Sequence, residues 1–341
     1  MSTTTHPHSD TGRTHDDLVD QLVATRAIRH PAWEAAFRAT PRHRFLHDIP
    51  TSTSPDRLRN HRLVTDPTAE HLAQTDSELG TGLDTAHRPA HACQQPSVLA
   101  RMLEALDLHQ RHRVLHIGDD TRYATALLRH RLHIDNSATP ILRPSQPKHP
   151  TTNHEFEHDH LVVVRDSTAI PVDATFDRLI ATSSVPRIPP TWIHHTRSGG
   201  VIVANIGYGL ARLTVTTPGT ATGHFLRTTT HLLSSTTTDG GTTQHDRRSL
   251  PPRHTDAVAS GRPPHNPLRA DVDALLRSLA GPEHEQLVNT STTLHTTIAQ
   301  LDPRWARPLP VEPQDFGLTV TSDGQHTVWL GPHRQPVFNL N

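Results

Sequence analysis

Short apolar runs separated by long polar stretches mark out the elements of this chain. Leu18, Leu22, Val23 and Ile28 recur at helical spacing behind Thr14 and Asp17, a pair that can cap a first helix. Residues 1–13, rich in Ser, Thr, His and Pro, read as a disordered tail. Pro31 opens a second helix through Trp33, Ala36 and Phe37, which stops before Pro41. Between 47 and 92 apolar anchors are sparse and turn formers frequent, so the stretch reads as a polar connection. Gln95-Pro96-Ser97 then starts a helix carrying Val98, Leu99, Met102, Leu103 and Leu106.

Val114-Leu115-His116-Ile117 fits a buried strand, Gly118 a tight turn, and Tyr123 to Leu128 a helix. Strand, glycine turn and helix together bring the free N–H groups of a helix start beside a ligand. Pro140, Pro144, Pro147 and Pro150 then exclude a long helix, and His154 to His160 reads as a solvated polar loop. Leu161–Val164 and Phe176–Thr182 are strands, Trp192-Ile193 marks a short helix, and Gly199-Gly200 turns into Val201–Ala204. This alternation predicts a mainly parallel sheet. From residue 210 Thr-rich alternation signals an antiparallel hairpin, 234–265 reads as a flexible loop, and one helix carries Val272, Leu275, Leu276 and Leu279. The chain closes on a hairpin, Phe316–Thr321 and Thr327–Leu330, with Asp323-Gly324 in its turn.

Composition narrows the picture. Only 33% of the 341 residues are hydrophobic and 4% aromatic, beside 29 prolines and 30 histidines, so the core is modest for the length. Lys plus Arg number 33 against 34 acids, which leaves no field to draw in nucleic acid or a membrane surface. No apolar run approaches the ~20 residues that span a bilayer, the N-terminus is too polar for a signal peptide, and Cys93 stands alone; a cytoplasmic protein is expected. His154, His158 and His160 alternate with Glu155, Glu157 and Asp159, but histidines are dense everywhere and no HExxH spacing occurs, so no metal site is expected. Asp177-Arg178 reads as structural, and Cys93 as a packed thiol with no basic partner in sequence.

Several pieces, in order, resemble the protein-L-isoaspartate O-methyltransferase family: Ala36-Phe37 with Pro41-Arg42-His43-Arg44-Phe45, Gln95 to Leu103, Val114 to Gly118, Tyr123 to Leu128, Phe176 to Val185, and Gly199 to Val203. The form they resemble most is the actinobacterial one with a C-terminal extension that accompanies ribosomal-peptide maturation by ATP-grasp enzymes. The resemblance implies an α/β fold: a class I, Rossmann-like methyltransferase domain over 80–225. N-terminal helices and a connection over 14–79 would precede it, and a β-rich C-terminal appendage over 226–341 would follow. It also implies S-adenosylmethionine as cofactor and an aspartyl or isoaspartyl carboxylate of a peptide or protein as methyl acceptor. The cofactor-binding positions are then His116, Gly118, Asp120, Arg122 and Asp166. Gln94, Thr182 and Ser183 stand on the catalytic, substrate-facing side, with Gln95 and Ser184 beside them.

This chain departs from the family at those positions. The acid and later glycines of the loop are replaced by His116, Asp120 and Arg122, and the family's substrate-side serine by Gln94. The strand expected to carry the ribose acid maps to Ile141-Leu142-Arg143-Pro144, which has no carboxylate, while Asp166 keeps a third landmark near the adenine. Two functions fit: a methyltransferase with a remodelled loop, in which Arg122 pairs with the cofactor carboxylate, or a non-catalytic module of the same fold that binds peptide as a scaffold.

Overall fold

The structure, a computed structural model, describes residues 9–46, 73–76, 79–83, 89–118, 122–134, 154–207, 209–217, 219–227, 270–306 and 311–340. The chain divides into two compact units, Met1–Ser183 and Ser184–Asn341, a boundary inside the 80–225 span read from the sequence as one domain.

The first unit opens with α1 (Ser9–Ala24), so Thr14 lies within the helix and residues 9–13 are helical rather than tail. It continues with α2 (Pro31–Ala39), whose N-cap His30 accepts the Ala32 N–H on Nδ1 at 3.1 Å. Leu18, Val19, Leu22, Trp33 and Phe37 are buried. Next come β1 (Leu79–Leu83) and β2 (Pro89–Cys93), an antiparallel pair where a polar connection was expected. Gly80, Thr81, Gly82, Ala90, His91 and Ala92 give these strands no apolar alternation to reveal them. β2 runs through Gln94-Gln95 into α3 (Pro96–Ala105). Glu104 of α3 accepts the N–H groups of Arg29 and His30, each at 2.7 Å, and so ties the N-terminal helices to it.

The centre of this unit is β3 (Val114–Ile117) followed by α4 (Tyr123–Arg131), then β4 (His154–His158), β5 (Leu161–Val164) and β6 (Phe176–Val185). These strands stand in the order β6-β3-β5-β4. β3 runs parallel to both neighbours, Val114 pairing with Leu161 on one side and Arg178 on the other. Every residue of β3 and β5 is buried, which is why β5 is apolar throughout and β3 is apolar at every position but His116. β4 pairs antiparallel with β5, so residues 154–158 are a strand rather than a loop, held by backbone bonds that make no demand on side-chain polarity. The strand beside β3 is therefore β5; Ile141 to Pro144 lies outside the described residues. Phe37 and Phe45 meet Tyr123 at 6.2 and 5.6 Å between ring centroids, seating the N-terminal helices on the start of α4.

The second unit contains α5 (Pro190–His194), β7 (Thr196–Ile206), β8 (Gly209–Thr217), β9 (Thr220–Phe225), α6 (Ala270–Ala280), α7 (His284–Leu301), β10 (Phe316–Thr321), β11 (His326–Leu330) and β12 (Gln335–Leu340). Its strands β7 to β12 pair antiparallel in series, whereas β3 pairs parallel with both β5 and β6 in the first unit. β7 begins before Gly199-Gly200 rather than after them. Two helices stand where one was expected. The second, α7, buries Leu287, Val288, Ser291, His295 and Ile298. Its threonines bond back to carbonyls one turn earlier, as Thr290 does to Gln286 at 2.8 Å and Thr296 to Thr292 at 3.1 Å. Gly324 turns the closing hairpin at φ +86°. At Gly317 an added Cβ would fall within 2.5 Å of Trp329 Cε2 and nearer still to other atoms of that buried ring.

Among the described residues no helix is long and apolar enough to cross a membrane, and no group of three His, Cys, Asp or Glu side chains is arranged to hold a metal ion.

Candidate functional site

Three parallel strands end together in the first unit, and the loops beyond such carboxyl ends are where open α/β sheets bind ligands. β3 ends at Gly118, β5 leads into Arg165-Asp166, and β6 carries Thr182 and Ser183 near its end. Gly118 extends the pairing by one bond, its N–H donating to Val164 O at 2.9 Å, and then turns at φ +77°. Two constraints require glycine there. An L side chain is strained at that φ, and a Cβ would meet Ser183, whose Oγ lies inside van der Waals distance and whose own Cβ lies at 3.0 Å. Arg122 is the N-cap of α4 in the left-handed region, φ 60°, a conformation uncommon for a non-glycine residue. Asp120 lies outside the described residues.

His116 is fully buried. Its Nδ1 faces Thr125 Oγ1 of α4 at 3.1 Å and its Nε2 faces Thr182 Oγ1 of β6 at 3.0 Å. Burial lowers its pKa to about 3, so the ring is neutral in the ordinary working range. With both nitrogens engaged inside the protein, His116 is placed beneath the loop. Thr182 Oγ1 also donates to the Gly118 carbonyl, with Ile117 O farther away at 3.4 Å.

Gln94 reaches the same strand end from the other side, its Nε2 donating to Thr182 O at 2.5 Å. Gln94 Oε1 is buried with no hydrogen-bond partner among the described residues. An acceptor left so costs about 1–3 kcal/mol. Two residues that sequence reasoning gave no role hold this corner. Arg42, fully buried, donates to Thr75 O at 3.2 Å and to Gln94 O at 2.9 Å. Asp76 accepts from Ser97 N at 2.8 Å and from Gln95 Nε2 at 3.1 Å, capping α3 from a distant segment. The Pro41-Arg42 pair and the run from Tyr123 to Leu128 carried a family signal, though no role for Thr125, and nothing marked Asp76.

Asp166 is partly exposed and caps its own short turn, Oδ1 accepting from Thr168 N at 2.9 Å and Thr168 Oγ1 at 2.5 Å. Asp177 accepts the Arg113 N–H at 2.8 Å, a structural contact, and Arg178 donates to Asp107 O and Asp177 O and pairs with the Asp107 carboxylate at 3.9 Å.

The arrangement brings hydroxyls, amides and a neutral imidazole together at the ends of the parallel strands, with the Asp166 carboxylate at the neighbouring strand end. Comparison with known proteins bears on the family and the fold. A protein-L-isoaspartate O-methyltransferase of Opitutus terrae is 26% identical over 208 residues, covering 60% of this chain and 78% of that protein. One from an Anaeromyxobacter species is 29% identical over 192 residues, covering 55% and 78%. A solved structure of a protein-L-isoaspartate O-methyltransferase superposes with TM-score 0.50 and 15% identity over 93% of this chain and 99% of that one, a likeness of fold to the class I methyltransferases. The family model of Protein-L-isoaspartate(D-aspartate) O-methyltransferase (PCMT) matches residues 13–217, more than half of the 341 residues, and the chain therefore belongs to that family.

Proposed function

We propose that the chain is an S-adenosylmethionine-dependent carboxyl O-methyltransferase acting on aspartyl or isoaspartyl side chains of a peptide or protein. The observation that carries the reading is the convergence of Gly118, Asp166, Thr182, Ser183 and Gln94 at one edge of parallel strands in a chain of this family. The residues fit the cofactor. Gly118 lets the chain turn sharply at the end of β3, and the Asp166 carboxylate follows the strand directly beside β3. That place suits a contact with the ribose hydroxyls or the adenine beside them. Arg122, at the start of α4, would pair with the cofactor's carboxylate.

When bound, S-adenosylmethionine supplies the methyl group that passes to a carboxylate oxygen. The protein's part is positioning. Gln94 Oε1, an acceptor without a partner among the described residues, would take an N–H of the substrate backbone, and Thr182 and Ser183 would stand beside it. The transfer needs no general acid, which suits an arrangement whose histidine is neutral. A second reading, a peptide-binding module without turnover, draws support from His116, an uncharged group where the family has an acid. Calorimetric titration with S-adenosylhomocysteine, followed by labelled-methyl transfer to an isoaspartyl peptide, tests both. Binding with incorporation is expected; absence of binding at high micromolar concentration removes the enzyme, and binding without incorporation favours the module.

A further inference from the structure

The contacts under the loop form a directed chain. Thr125 Oγ1 meets His116 Nδ1, His116 Nε2 meets Thr182 Oγ1, and Thr182 Oγ1 meets Gly118 O. A carbonyl oxygen can only accept, so the single hydroxyl proton of Thr182 points to Gly118. The Thr182 oxygen must then accept from the imidazole, which puts the ring's proton on Nε2. A neutral imidazole carries one N–H, so Nδ1 carries no proton and faces Thr125 Oγ1 as an acceptor. The other tautomer would turn the Thr182 proton toward Nε2 and press two oxygen lone pairs together at Gly118. A carboxylate at 116 could not replace the ring, because it too would only accept.

We propose that His116 is a positioning residue: held as the Nε2–H tautomer, it locks the Thr182 hydroxyl onto the Gly118 carbonyl and thereby sets the turn that opens the cofactor loop, without touching ligand itself. In this chain the first-strand position has passed from ligand contact to internal support. The functional half of this inference rests on the methyltransferase reading; the tautomer is a property of the protein alone.

Histidine-selective nitrogen labelling of the full chain, read by long-range proton–nitrogen correlation at about pH 5, tests it. Most histidines are protonated there, whereas His116 should remain neutral with its proton on Nε2, its signal identified by its loss in His116→Gln. A proton on Nδ1, or a protonated ring, overturns the proposal. Gln can present an amide N–H where Nε2 stood; Asn reaches only the place of Nδ1. His116→Gln and Thr182→Ser should therefore keep S-adenosylhomocysteine affinity within about threefold, while His116→Asn and Thr182→Val lose about tenfold or more, one hydrogen bond's worth. Equal losses in the Gln and Asn variants would reduce His116 to packing and overturn the proposal. If the unaltered chain binds none of that ligand, the methyltransferase reading fails, and the spectrum still decides the tautomer.

Discussion

Replacing Gly118 by alanine should damage the first unit by two separable routes. At φ +77° the alanine meets the left-handed penalty, roughly 1–2 kcal/mol. Its Cβ would also press on Ser183 Oγ and approach Ser183 Cβ to 3.0 Å, and Ser183 is 6% exposed, with little room to retreat. Overpacking of this kind costs about 1–3 kcal/mol. The sum is about 3 kcal/mol, a fall in Tm of ~6–12 °C for a unit of this size. Urea unfolding of Gly118→Ala, Ser183→Gly and the double variant separates the routes. Removing the serine side chain should return the overpacking part, a coupling of about 1–2 kcal/mol, and leave the backbone part in place. A loss under ~0.5 kcal/mol in Gly118→Ala would refute the argument, and a coupling near zero would refute its steric half.

Arg122→Gly removes a left-handed non-glycine residue, so Tm should rise by ~2–4 °C while S-adenosylhomocysteine affinity falls about tenfold; a fall in both would give the side chain a structural task instead. Gly317→Ala drives a methyl into the Trp329 ring, and urea unfolding should show a loss of at least ~2 kcal/mol, with a change below ~0.5 kcal/mol counting against that close approach. His116 has a folded pKa of about 3 against an ordinary 6.5, so its contribution is complete above the ordinary value and is lost as pH falls toward the folded one. Burial lowers His326 in the same direction. Stability should therefore decline by up to about 1.4 kcal/mol per pH unit below that ordinary value from His116 alone, and a His116→Gln variant with an unchanged slope would contradict this.

What could be read from the sequence was whatever rested on burial of contiguous residues. β5 is apolar at every position and β3 at all but His116 because both faces are covered, and Gly118 follows β3 where a turn must come. β1 and β2 escaped notice because their ladder uses backbone groups of Gly, Ala, Thr and His, which have no pattern of burial to display. α7 was concealed by threonines, which suit strands until their hydroxyls are bonded to the helix itself. At the site, Gln94, Gly118 and Thr182 emerged from the order of the family's pieces. Thr125, Arg42 and Asp76 act through groups brought near only by folding: Arg42 binds the Gln94 carbonyl across 52 residues and Asp76 caps Ser97 across 21. No local signal encodes such a meeting.

The order β6-β3-β5 also dictates when the first unit can close during synthesis. Val114 finds its partners in Leu161 and Arg178, so the most buried strand is made well before either neighbour exists. Until Phe176–Val185 has emerged, one edge of β3 remains an unpaired row of N–H and C=O groups flanked by Val114, Leu115 and Ile117. Parallel pairings of this range are slow, and open apolar edges invite the wrong partner. A chain stopped between β5 and β6 should therefore aggregate rather than persist as a smaller domain, and pausing by the ribosome in that interval would expose the nascent protein to chaperones.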